Sequence, residues 1–157
     1  MNQNVMLSKD AVSAKLAKCF VTIEERRYLL FQAKNIEANF KKNKKKVAIL
    51  GQTGQGNKAI GWEGTGKFTI YYNTSIFTDL LVRYKDTGED IYFDMQIENN
   101  DPTSAAGSQT IVLKGCNIDG GLLAAFDADG DWLEQDIDFT FEDFNMPEKF
   151  KLLTGMI

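Results

Sequence analysis

The chain has 157 residues, of which 43% are hydrophobic and 25% charged, a balance typical of one globular domain rather than of a disordered segment. It contains no histidine and only two cysteines, Cys19 and Cys116. This excludes histidine-based catalytic triads, histidine-ligated zinc and a disulfide framework. No apolar run reaches the roughly 18 residues that a membrane helix needs, and no signal-peptide pattern opens the sequence, so we expect a soluble protein made in a cytosol.

The net charge of −4 is unevenly distributed. Residues 1–78 carry a net charge of +8, whereas residues 79–157 carry −12. Such asymmetry points to an interaction partner or to self-association of unlike faces. The isoelectric point near 4.9 is not that of a typical nucleic-acid-binding domain.

The first candidate element along the chain is a weak helix over residues 8–18, where Val12 and Leu16 lie four residues apart. An arm that becomes ordered only on assembly is an equal alternative. From residue 18 onwards, alternation of apolar and polar residues predicts a mainly β fold. We count about eight strands; the candidates are residues 18–23, 36–40, 46–50, 68–72, 91–97, 109–117, 122–126 and 136–142.

One segment has helical rather than β periodicity. Between Thr74 and Lys85 the apolar residues follow the i, i+1, i+4, i+5, i+8 pattern of one helix face. Ser75 or Thr74 can cap its start, and Gly88 follows its end. The sequence therefore predicts one helix, at about residues 75–86, flanking a single-domain β-barrel or sandwich. We expect loops at residues 51–66, which hold six glycines, and at residues 99–107.

Two motifs resemble known sites only in part. Residues 61–67, GWEGTGK, match a phosphate-binding loop until Phe68 replaces the Ser or Thr that holds magnesium. A glycine turn leading into a strand explains them better, because the phosphate loop opens a helix. Asp127, Asp129 and Asp131 have the spacing of the first calcium ligands of an EF-hand. They are a weak metal candidate, because the required glycine and bidentate glutamate are missing and a β-turn also favours this composition.

Charged runs are the remaining candidates. The run at residues 41–46 contains five lysines and either forms a solvated hairpin tip or strand edge, or contacts the acidic half of another subunit. Residues 119–148 hold ten carboxylates and no basic residue. Asp136 and Asp138 lie on the wet face of an alternating strand, where solvation explains them better than glycosidase chemistry. We expect no catalytic site, no cofactor and no enzyme activity.

The most specific string is FTFEDFNMPEK at residues 139–149. It resembles the C-terminal signature of the XkdM-like tail tube proteins of PBSX-type prophages and contractile-tailed phages. Further matching pieces follow in the family's order: IEANF at residues 36–40 with Asn43, residues 47–51, GTG at 64–66 leading into 68–72, and the helix after Thr74 and Ser75. The resemblance runs from about residue 18 to residue 149.

The resemblance implies a β-barrel or sandwich similar to phage tail tube and type VI secretion tube proteins. We divide the chain into an N-terminal arm or short helix at residues 1–17, the tube domain at residues 18–150 and a C-terminal tail at residues 151–157. Six subunits would form a ring, and rings would stack into a tube inside a contractile sheath, with baseplate and tail terminator proteins at its ends. DNA would pass through the lumen without specific binding. Assembly would take place in the cytoplasm of the bacterial host, without membrane insertion by this subunit.

Within that frame we hypothesise two groups of site residues. Asp136 and Asp138 would line the lumen or the ring contacts, since an acidic lumen repels DNA phosphates. The inter-subunit contacts would involve the lysine run and the glycine-rich segment, namely Lys41, Lys42, Lys44, Lys45, Lys46, Gly51, Gly54, Gly56, Gly61 and Gly64. Two alternatives are a monomeric β-barrel that binds a small ligand and a calcium-binding β module that uses Asp127, Asp129 and Asp131.

Overall fold

The computed structural model describes residues 5–156. Within them the chain forms eight antiparallel strands and one α-helix, so the predicted mainly β fold with a single helix is confirmed. The first four residues of the predicted arm and the last residue of the predicted tail lie outside the described part. The elements are β1 (Ala17–Ile23), β2 (Arg26–Leu29), β3 (Ala33–Ala48), β4 (Gln55–Tyr71), α1 (Ile76–Thr87), β5 (Phe93–Asn100), β6 (Ser108–Ile118), β7 (Glu134–Phe141) and β8 (Asp143–Glu148).

The described residues fall into two compact units. The first comprises the chain up to Ala33, Tyr92–Cys116 and the chain from Asp143 onwards. Its strands follow the order β2-β1-β5-β6, and β8 pairs with β6. Alternate residues of these strands point to one face; the buried set on that face consists of Cys19, Val21, Ile23, Phe93, Met95, Leu113 and Cys116.

The second unit comprises Lys34–Ile91 and Asn117–Glu142. Its sheet has the order β7-β4-β3, with the end of β6 next to β7. The core is aromatic: the ring centroid of Phe68 lies 5.1 Å from that of Phe77 on α1 and 5.7 Å from that of Phe139 on β7. The β7 strand alternates as its sequence predicts, with Ile137, Phe139 and Phe141 buried.

The helix begins and ends close to the predicted residues. Ser75 is its N-cap, and its end is set by Gly88, which has a φ of 75° and donates its N–H to the carbonyl of Tyr84 at 2.9 Å. This left-handed conformation favours glycine. Phe77 and Leu80 are buried as expected, but Tyr84, assigned to the same face, is 56% exposed.

The helical alternative for residues 8–18 is wrong. Only a 3-10 turn over Ser8–Asp10 forms, and β1 begins at Ala17. Backbone groups of this segment form hydrogen bonds with the end of β5 and the loop after it, not with one another in a helix. The Lys9 carbonyl accepts from Ala105 N at 2.7 Å, and the Leu16 carbonyl accepts from Asn100 N at 3.0 Å.

The largest discrepancy concerns the glycine-rich segment. We predicted a loop over residues 51–66, but β4 begins at Gln55 and runs without interruption to Tyr71. The GWEGTGK motif therefore lies inside a strand, and it is neither a phosphate loop nor a turn. Residues 46–50 are not a separate strand, because β3 continues to Ala48. Residues 122–126 form no strand, whereas β2 and β8 were not predicted.

Candidate assembly surfaces

The lysine run lies on a sheet edge. Among the described residues β3 is the last strand of the β7-β4-β3 sheet, and its lysines are exposed; they are Lys41, Lys42, Lys44, Lys45 and Lys46. A strand edge offers unpaired backbone N–H and C=O groups to another chain, and lysines along it disfavour uncontrolled pairing. The structure thus places the run on an edge, as one of the two interpretations of the sequence predicts.

The hairpin formed by β3 and β4 extends past its neighbour. The register between β4 and β7 ends at Gly64 opposite Phe141, so residues 55–63 of β4 have no β7 residue beside them. Trp62 lies in this part, stacked on Phe40 with ring centroids 4.7 Å apart. Both side chains remain partly exposed, at 38% and 46%. The hairpin therefore presents an aromatic pair beyond the end of β7.

The candidate glycines differ in their environments. Gly51 has a φ of 84° in the turn between β3 and β4, where few other residues fit. A Cβ on Gly54 or Gly61 would meet no atom within 4 Å, and one on Gly56 would lie 3.0 Å from Ile49 Cδ1. Gly64, by contrast, is covered by the ring of Phe141. Only Gly51, Gly54 and Gly61 thus leave open space for an approaching backbone.

Asp136 and Asp138 are exposed on β7, on the face opposite its buried residues. Asp136 accepts a hydrogen bond from Thr69 Oγ1 at 2.6 Å. Asp138 is the cross-strand partner of Lys67, and both border a depression of about 410 Å³ that Asp119 also lines. This face is therefore polar and mixed in charge rather than purely acidic.

Asp127, Asp129 and Asp131 lie in the exposed loop between β6 and β7. Asp127 Oδ1 accepts from Asp129 N at 3.1 Å, and the Asp127 carbonyl accepts from Gly130 N at 3.2 Å. These bonds form the turn that the Asp and Gly content favours. Within the described residues no three His, Cys, Asp or Glu side chains are grouped so as to hold a metal ion.

A charged and aromatic cluster joins β3 to β7 within the second unit. Lys34 Nζ lies 2.7 Å from Glu134 Oε1, which also accepts from Trp132 Nε1 at 3.1 Å. The hydrogen bond raises the pKa of Lys34 and lowers that of Glu134. The ring of Tyr71 packs edge-on to that of Trp132, with centroids 6.4 Å apart. Sequence reasoning missed this cluster because a hundred residues separate the ion pair and neither residue belongs to a motif.

A second unpredicted site is the buried carboxylate of Asp101, in the first unit. It accepts from Ser13 N at 3.0 Å, Thr103 N at 2.9 Å and Thr103 Oγ1 at 2.6 Å. These bonds lower its pKa, chiefly through the Thr103 hydroxyl. Asp101 therefore fastens the N-terminal segment to the loop after β5.

In the described part, no helix is both long and apolar enough to cross a bilayer.

The sequence also matches known proteins. The family model described as "Phage tail tube protein" matches residues 4–148. The chain belongs to this family. It is 37% identical over 142 residues to the phage-like element PBSX protein XkdM of Bacillus subtilis (strain 168), with 90% of this chain and 94% of that protein covered. The XkdM-like assignment made from the C-terminal string is thereby confirmed.

Solved structures share the fold of this tail tube family member. One is a chain in the cryo-EM structure of the anti-feeding prophage baseplate, with a TM-score of 0.66, 13% identity and coverage of 89% of this chain and 97% of that one. Another belongs to the sheath–tube complex of an extracellular contractile injection system in its extended state, with a TM-score of 0.64, 9% identity and coverage of 87% and 90%. The mainly β fold is therefore shared with chains of these two particles.

Proposed function

We propose that this protein is the structural subunit of the inner tail tube of a contractile phage tail or phage tail-like particle. Six copies form each ring, rings stack into a tube, and the lumen conducts DNA during ejection. The observation that carries this proposal is the sixteen-residue edge of β3 in a chain of the phage tail tube family. An edge of this length is a liability for a monomer, and pairing between copies removes it.

Two groups of residues have roles in this assembly. Asp136 and Asp138 face the lumen or the ring contacts, where exposed carboxylates repel DNA phosphates and let the polymer slide. Their exposure on β7 supports this role, although Lys67 beside Asp138 offsets part of the charge. The five lysines of β3 and the glycines of the β3–β4 hairpin serve contacts between subunits, with Gly51, Gly54 and Gly61 open to an incoming chain.

The partners follow from the same role. A sheath surrounds the tube, and baseplate and terminator proteins close its ends; the baseplate and sheath–tube particles that contain chains of the same fold support this. We assign residues 18–150 to the tube domain, residues 1–17 to an arm and residues 151–157 to a tail. The subunit is assembled in the host cytoplasm and becomes part of the tail. Its role is structural, without a catalytic step or a cofactor.

Negative-stain electron microscopy of the purified, concentrated protein tests this proposal. We expect six-fold rings with a central hole, and stacks of such rings as the concentration rises. Light scattering coupled to size exclusion gives an independent mass for the ring. Rings of another symmetry would contradict the hexamer, and monomers at every concentration and salt level would contradict self-assembly of the tube.

A further inference from the structure

The part of the β3–β4 hairpin that extends beyond β7 combines positive charge with exposed apolar side chains. Besides the five lysines, Leu50 is fully exposed, Ile60 is 68% exposed, and Val47 and Ile49 are each 42% exposed. We call this surface, together with Trp62, the hairpin patch. Several exposed apolar side chains on one projecting hairpin favour an interaction site.

The loop between β6 and β7 has the complementary chemistry. Phe126 is 94% exposed, Leu123 70% and Trp132 66%, and Asp127, Asp129 and Asp131 lie among them. We call residues 122–133 the acidic loop. It contains five apolar or aromatic side chains larger than alanine and no basic residue.

Hydrogen bonds hold the acidic loop at the end of the sheet. Tyr72 Oη donates to the Leu123 carbonyl at 2.7 Å, and Tyr72 N donates to the Leu133 carbonyl at 2.9 Å. The turn at Asp127 and the bond from Trp132 to Glu134 further fix the segment between Leu123 and Leu133. A surface held in this way loses little conformational entropy when a partner binds.

The two surfaces lie at opposite ends of β4. The acidic loop adjoins Tyr71, the last residue of the strand, whereas the lysines lie beside its first half, since a Cβ on Gly56 would approach the Val47 carbonyl and one on Gly66 the Glu37 carbonyl. From Trp62 to Tyr71 the strand extends roughly 30 Å at about 3.3 Å per residue. Lysine and aspartate side chains cannot bridge that distance within one copy.

We propose that the hairpin patch of one copy docks on the acidic loop of the next copy. The occupant is a second copy because the same chain carries both halves of the complementary pair, at ends that cannot meet. Such a contact joins unlike surfaces, so each docked copy still offers one free surface and the contact repeats. The lysines and aspartates set the register and speed the encounter, while Trp62, Phe126 and Trp132 provide the apolar contact. This inference rests on the proposed tube role and names the residues that connect its subunits.

Charge reversal with rescue is the first test. One variant carries Lys42→Glu and Lys44→Glu, and a second carries Asp129→Lys and Asp131→Lys, which leaves the turn bonds of Asp127 in place. We expect each pair alone to lower the assembled fraction about tenfold at low salt, and the combination to restore it. Lys15→Glu with Lys18→Glu, two exposed lysines of the other unit, controls for the change in net charge. Circular dichroism melting of every variant shows whether it folds. Failure of the combined variant to recover, or an equal loss in the control, would overturn the docking.

Disulfide cross-linking is the second test, and it does not depend on ring formation. A chain with Asn43→Cys and Ala128→Cys should form a ladder of linked copies on mild oxidation, whereas each single variant stops at dimers. The pair Asn43→Cys and Asp86→Cys, with the second thiol on α1, is the matched control and should give no ladder.

The outcomes separate the two proposals. Wild-type rings without a specific ladder overturn the docking and leave the tube role intact. A specific ladder without rings under any condition overturns the tube role and keeps the head-to-tail contact. The absence of both overturns both.

Discussion

The ring of Phe139 lies across the backbone of Gly66, its cross-strand partner. A Cβ built on Gly66 would come within 2.8 Å of Phe139 Cε1 and within 2.6 Å of the Glu37 carbonyl oxygen. Gly64 and Phe141 repeat the arrangement, with the Phe141 Cδ2 atom 2.6 Å from such a Cβ. Glycine inside a strand commonly marks such a close approach. Here the rings replace the side chains that the two glycines lack.

We expect Gly66→Ala to destabilise the protein by about 1–3 kcal/mol, because the added methyl group must displace a buried ring or a backbone carbonyl. Urea unfolding measures the change. Gly61→Ala is the matched control on the same strand, since its Cβ would meet no atom within 4 Å; it should change stability by less than about 0.5 kcal/mol. Equal effects of the two substitutions would show that the backbone entropy of the glycines, not the covering ring, determines the change in stability.

Much of the fold follows from local pattern, and the exceptions have a common cause. The alternation in β7 and the glycine after α1 depend on neighbouring residues, so the sequence predicts them. The strand β4 could not be predicted in this way. Six glycines in residues 51–66 indicate a loop, and only the packing of Phe139 and Phe141 over two of them explains a strand there. The Lys34–Glu134 pair and the Asp101 contacts also join distant segments. The sequence offers a strand edge as one of two interpretations of the lysine run, but only the three-dimensional structure places it there and separates the lysines from the aspartates by the length of a strand.

The hydrogen bonds of Asp101 predict a pH-sensitive attachment of the N-terminal segment. We expect Asp101→Asn to expose Lys9 and Lys15 to limited trypsin digestion several-fold faster than in the wild type. Asp119→Asn, an exposed carboxylate of the other unit, is the control and should leave cleavage unchanged. Mass spectrometry of the first fragments identifies the cut.

The direction of the pH effect follows from the lowered pKa of Asp101. Its folded-state pKa lies below the ordinary aspartate value of about 3.9. The ionised carboxylate therefore stabilises the folded protein at pH values above the ordinary pKa. This contribution disappears as the pH falls through the folded-state pKa. The difference in stability between wild type and Asp101→Asn should therefore be constant near neutrality and shrink below about pH 4. A difference that grows on acidification would contradict this assignment.

The turn between β1 and β2 contains two strained residues. Glu24 and Glu25 have φ values of 50° and 68°, a region that glycine and asparagine adopt more readily. We expect Glu25→Gly to stabilise the protein by about 0.5–1 kcal/mol in thermal unfolding. Glu25→Ala removes the same side chain but retains the strain, so it should bring no such gain. Destabilisation by the glycine variant would indicate that the Glu25 side chain itself stabilises the hairpin.

The two native thiols should be unreactive in the folded protein. Burial raises the pKa of Cys19 and that of Cys116 to about 12 each, so almost no thiolate is present at pH 8. We expect negligible labelling by a disulfide reagent until denaturant is added, when both thiols react. An Asn43→Cys variant should react rapidly with one equivalent of the reagent per chain. Rapid labelling of the wild type without denaturant would contradict the buried placement.

The β3–β4 hairpin is attached to the rest of the sheet at one end only. Its base is held at Gly64, where the β7 ladder ends, and residues 55–63 extend roughly 30 Å beyond it. A tilt of one degree at that base moves the far end by roughly half an ångström over such a length. Small adjustments in the sheet would thus be magnified at the tip. In the assembly proposed above, contacts through such tips would let the tube bend by distributing the curvature over many slight tilts, without unfolding any of its subunits.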